Sequence, residues 1–157
     1  MATISRPLTR LIHENLSIIL DFCFSRAAVG EMMQSFVGEW KYLRRTVYDV
    51  SEARAEKAAL ELALFLRMLD DREGLSEYLR QTRSNTRYGC LNMRGGAKKQ
   101  LKMRDVVNKI IHAAHFEWAF GDPHAPRLIC HAPKQEKWTS AEVNIVAVAF
   151  LCGQLMH

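Results

Sequence analysis

At 157 residues the chain has the length of one domain, and a chain of this length buries roughly 70% of its unfolded surface without a disulfide or metal staple. It is 48% apolar and 25% charged, with four prolines and eight glycines, which excludes a disordered or collagen-like chain. The formal net charge is +5, and its source is one stretch: residues 80–104 hold eight basic side chains and no acidic one.

Leu8, Leu11, Ile12, Leu16, Ile19, Leu20 and Cys23 recur at three- and four-residue steps, the apolar stripe of an amphipathic helix. Pro7 suits its first turn, where a missing N–H costs no hydrogen bond. A second stripe, Val29, Met32, Met33, Phe36, Val37, Trp40, Leu43 and Val47, predicts a second helix, weakened at Gly30 and Gly38 by about 1 kcal/mol each against alanine. Phe36, Trp40 and Phe65 are read as core. Asp49 and Glu52 have the spacing of a capping box ahead of a third helix with Ala55, Ala58, Ala59, Leu62, Phe65, Leu66 and Leu69 on its inner face. Asp70 and Asp71 oppose the negative end of the helix dipole and put the end of that helix near them.

A short helix is expected around Leu75, Tyr78 and Leu79. Residues 82–97 carry Ser84, Asn85, Thr86, Gly89, Asn92, Gly95 and Gly96 and read as a basic loop. A helix resumes near Ala97, with Leu101, Val106, Val107, Ile110 and Ile111 as its apolar positions. Residues 116–120 and 127–131 are short β-prone runs around a proline-stiffened loop, which predicts a hairpin; Trp118 and Trp138 pack it on the helices. Thr139 or Ser140 caps a last helix containing Val143, Val146, Ala147, Phe150 and Leu151, apolar nearly all round and so expected to be buried. The expected architecture is one mainly α domain over residues 1–157: a bundle of four or five helices with a small β-hairpin before the C-terminal helix.

Cys23, Cys90, Cys130 and Cys152 form no CxxC pair and no signal peptide precedes them, so they read as reduced thiols of a cytoplasmic protein. The longest apolar run, 143–156, is broken by Asn144, Gly153 and Gln154 and is short of the roughly 20 residues a spanning helix needs. No membrane contact is expected.

Three constellations could carry chemistry. Arg104, Asn108 and His112 stand at i, i+4 and i+8, so a helix aligns them along one face. An imidazole can move a proton near neutral pH, and a guanidinium can hold a phosphate through two parallel hydrogen bonds. The same three residues also fit the wet face of any amphipathic helix.

The segment Asn108-Lys109-Ile110-Ile111-His112 resembles the signature helix of HEPN domains, helical-bundle proteins whose motif runs from an Arg through a polar residue to a His. Val107 stands where that family's Arg would fall, and Arg104 lies one turn earlier. The resemblance implies a bacterial, metal-independent endoribonuclease of toxin–antitoxin or phage-defence type. It also implies a homodimer with facing motifs, and Arg104, Asn108 and His112 as the catalytic set.

The second constellation is the basic stretch: Arg80, Arg83, Arg87, Arg94, Lys98, Lys99, Lys102 and Arg104. With Tyr88 as a base-stacking ring, it suits RNA binding; an acidic protein partner suits it equally. The third is His112 with His115 and the Cys130-His131 pair. Adjacent strand residues point to opposite faces, so at most one of that pair joins the histidines, and no metal site is expected. There is no Walker loop, GxGxxG or GxSxG, and no cofactor is expected.

Overall fold

A computed structural model describes residues 2–35 and 37–155, with the side chains of 2–6, 39 and 40 left out. The Phe36 and Trp40 side chains assigned to the core lie outside what is described. The chain forms α1 (Ala2–Phe24), α2 (Arg26–Met33), α3 (Ser51–Glu73), α4 (Leu75–Gln81), β1 (Gly89–Met93), β2 (Lys98–Gln100), α5 (Met103–Ile111), β3 (His115–Ala119), β4 (Arg127–His131), β5 (Trp138–Asn144) and α6 (Ile145–Gln154).

The expectation of a mainly α bundle is overturned. The strands make one five-stranded antiparallel sheet in the order β2-β1-β5-β4-β3, so the fold is mixed α and β. The hairpin foreseen over residues 116–131 exists as β3 and β4, but it is only two-fifths of the sheet. The expected cap at Thr139 or Ser140 and the first helical residues after it, up to Asn144, belong instead to the central strand β5. Part of the stretch read as loop is β1, and the helix expected from Ala97 begins at Met103 because β2 occupies the residues before it.

Register separates the two faces of the sheet. Leu91, Ala141, Cys130 and Phe116 form one row across it, and Val143, Leu128 and Trp118 form the next. These residues face the helices, and Trp118 meets Phe22 of α1 edge-on at 5.1 Å between ring centroids. The opposite face carries Asn92, Ser140, His131 and Glu142. This is the one-sided packing usual for antiparallel sheets. Gly89 begins β1 at φ +134, and a Cβ there would lie 1.8 Å from the Glu142 carbonyl oxygen. Only glycine allows β1 to approach β5 at that point.

The helices follow the apolar stripes with local departures. α1 buries Leu8, Ile12, Leu16, Ile19, Phe22 and Cys23; Pro7 lies inside it rather than in its first turn. The second stripe does not make one helix. After α2 come a 3-10 turn (Gly38–Tyr42) and a π-helical turn (Arg45–Val50), and the left-handed φ of +61 at Gly38 interrupts the helical path. α3 begins at Ser51 without a side-chain cap, so the Asp49–Glu52 capping box does not form. α3 runs past Asp70 and Asp71 to Glu73 and ends on Gly74 (φ 68, ψ 40).

α6 is capped by Asn144, whose side chain accepts from the Ala147 N–H at 3.1 Å. It is not buried all round: Ile145, Val148, Leu151 and Cys152 face inward, while Phe150 is 63% exposed. Cys23, Cys130 and Cys152 are buried free thiols, each pushed up to about 12 by burial, which keeps them protonated. No helix among the described residues is long and apolar enough to cross a membrane.

Candidate functional site

The turn after α4 and the start of α5 enclose a groove of about 700 Å³, within the range of ligand clefts. Arg80, Arg83, Arg87, Lys102 and Arg104 line it, with Ser76, Ser84, Asn85 and Thr86 as uncharged polar groups. Five of the eight cations of the basic stretch therefore converge on one concavity, and chain geometry explains how.

α4 ends in a Schellman motif: the Ser84 N–H donates to the Leu79 carbonyl and the Arg83 N–H to the Arg80 carbonyl, both at 3.2 Å. This turn sends the chain back across α4's end. β1 and β2 then deliver residues 100–104 to the facing wall, where the Leu101 N–H donates to the Gly89 carbonyl at 3.0 Å. The first turn of α5 is held by Asp105, whose carboxylate accepts from the Lys102 N–H at 3.0 Å.

Not all of this charge is free. Arg80 is paired with Glu77, at 2.7 and 3.0 Å. Arg104 gives one nitrogen, Nη1, to both Asp70 at 2.6 Å and Asp71 at 3.0 Å; the two carboxylates, Asp71 first, hold the guanidinium in its charged form. Burial alone would push the Asp70 carboxyl up, but the Ser76 N–H and hydroxyl, at 2.6 and 2.7 Å, and Arg104 outweigh it and lower its pKa. Among the described residues no carboxylate pairs with Arg83, Arg87 or Lys102. These three exposed side chains are the positive charge of the groove that no carboxylate pairs.

The other residues singled out from sequence have different places. Tyr88 lies in the groove floor, 5% exposed, with burial raising its pKa and hydrogen bonds to Thr86 and Ser84 opposing that. It supports the floor and presents no face for stacking. Arg94 closes the sheet's end by donating to the Glu136 and Lys134 carbonyls at 2.9 and 3.1 Å. Lys98 and Lys99 lie on the edge strand β2, where lysine discourages further strand pairing.

Arg104, Asn108 and His112 do share α5 as expected, but they do not share a cleft. Arg104 is in the groove. Asn108 and His112 are not among its lining residues, and Asn108 accepts from Arg67 Nη1 at 3.1 Å. His112 is exposed just beyond the helix, its N–H bonded to the Asn108 carbonyl. Eight residues of helix set Arg104 and His112 about 12 Å apart along the axis. Val107, at the position of the HEPN arginine, is 1% exposed in the core.

The His115 and His131 rings stack at 4.4 Å, and His131 Nε2 meets Glu117 at 2.8 Å, while Cys130 points the other way into the core. Among the described residues no group of three His, Cys, Asp or Glu side chains could hold a metal ion. Sequence reasoning missed Asp70 and Ser76, whose contact fixes the groove's α4 wall; the signal was an acid near a helix end followed by a serine in the next helix. Neither a protein-family model, nor a curated protein, nor a solved structure matches the chain.

Proposed function

We propose that the chain binds RNA, with the phosphate backbone running through the α4–α5 groove. The observation that carries this reading is the convergence of Arg83, Arg87 and Lys102, without acidic partners, on a concave site already lined by Arg80 and Arg104. Guanidinium forks fit phosphate oxygens, and the Ser84, Asn85 and Thr86 side chains beside them can meet ribose hydroxyls or base edges. The HEPN resemblance of residues 104–112 supports RNA as the polymer. A role in toxin–antitoxin pairing or phage defence rests on that resemblance alone.

The test is binding of a labelled single-stranded RNA across a salt series, comparing the parent with Arg83→Ala/Arg87→Ala/Lys102→Ala. Loss of three charged contacts should weaken binding on the order of 100-fold. It should also flatten the log K against log salt slope by about 2. Equal binding by both proteins would refute the groove, and displacement of RNA by a polyglutamate peptide at matched charge would favour an acidic protein partner.

Cleavage is tested by incubating the same RNA with the parent in EDTA. Degradation that His112→Ala abolishes would make the protein a metal-independent ribonuclease. Intact RNA would leave it a binding protein.

A further inference from the structure

α3 has two apolar faces. Ala55, Ala58, Ala59, Leu62, Leu66 and Leu69 are buried against the rest of the fold. On the opposite side Leu60, Leu64 and Met68 stand in a row at i, i+4 and i+8, 38%, 43% and 41% exposed. A surface helix needs one apolar face to join a core; the second is left uncovered by the described residues.

The charges beside this row indicate what covers it. Counted from Leu64, Lys57 lies seven residues before and Asp71 seven after. Glu61 and Arg67 lie three before and three after, and Glu56 and Arg72 eight before and eight after. In every pair the sign inverts. A two-fold contact between antiparallel helices sets each residue level with the one equally far beyond the centre on the other copy. Each of these three levels sets an acid against a base, where like charges would repel.

We propose that α3 is a self-association face, on which a second copy of this chain lays its own α3 antiparallel across a two-fold axis at Leu64. Leu60 of each copy packs on Met68 of the other, and Lys57 lies opposite Asp71. Both charged side chains reach outward: Lys57 is 78% and Asp71 57% exposed, despite their contacts with Glu61 at 3.8 Å and Arg104 at 3.0 Å. The face is on α3 rather than on α5, the helix that the HEPN resemblance would pair, and it does not depend on RNA binding. Three apolar side chains per copy cover less than the roughly 800 Å² per partner of a stable complex, so the dimer is weak and concentration-dependent.

Sedimentation of the intact chain at rising concentration, up to about 1 mM, spans the range of weak specific association. The parent should dimerise, and Leu64→Asp, a change at an exposed position, should remain monomeric with an unchanged circular dichroism spectrum. Lys57→Glu and Asp71→Lys should each self-associate at least tenfold more weakly than the parent. Their equimolar mixture should dimerise, because only the mixed pair restores acid opposite base at both sites. A parent that stays monomeric, a Leu64→Asp variant that dimerises like the parent, or a mixture no tighter than its components would overturn the proposal.

Discussion

At φ +50, Arg83 occupies the left-handed region, where a side chain with a Cβ costs roughly 1 kcal/mol or more and where helix C-termini usually carry glycine. The Schellman hydrogen bonds hold it there, and the guanidinium faces the groove without a carboxylate partner. Arg83→Gly should therefore raise stability by about 1 kcal/mol, a rise in Tm of about 3 °C for a chain of this size, while weakening RNA binding. A variant that loses stability in a thermal melt would show that the side chain, not the backbone, holds the turn. The groove was half legible in the sequence. Eight cations without an acid marked the stretch, but charge carries no direction. It could not separate Arg83 and Lys102, which face the groove, from Arg94, which clips the sheet's end, or from Lys98 and Lys99 on the edge strand. Tyr88 looked like a stacking ring because composition does not show burial.

Among the elements, α3, α4 and α5 meet at Asp70, whose side chain is 7% exposed and is shared between Ser76 and Arg104. Because the folded state lowers its pKa, its stabilisation is complete above the ordinary carboxylate range, about pH 4. It is lost as the pH falls below that, through the lowered folded value. Asp70→Asn should cost about 2 kcal/mol at pH 7, and urea titrations at pH 7 and pH 3 should show the difference from the parent shrinking at the lower pH. A constant difference would exclude the carboxylate charge as the source. α1, α3 and the β3–β4 hairpin were legible because their apolar positions keep one period throughout. β5 and α6 were not, because Val143 falls in step with Val146, Ala147 and Phe150 and the helical spacing runs on across the junction at Asn144. β2 offered no pattern, since all three of its residues are exposed.

For the whole molecule, the sheet joins two parts that differ in how far apart their strands lie in sequence. β3, β4 and β5 follow one another as a meander, and β1 with β2 is a short hairpin. The seam between them, β1 with β5, pairs Met93 with Trp138 and Gly89 with Val143, about 45 to 54 residues apart, with α5 and the β3–β4 hairpin between. Closing a loop of that length is entropically unfavourable before its contacts form, so the seam should zip after the meander, whose strands are neighbours in sequence. Gly89→Ala, which forces a Cβ into the Glu142 carbonyl, should then speed unfolding in stopped-flow experiments and leave the refolding rate nearly unchanged. The groove's two walls are joined through the short β1–β2 hairpin and through Asp70 rather than through the seam, so the site should outlast an opening of the sheet that parts β1 from β5.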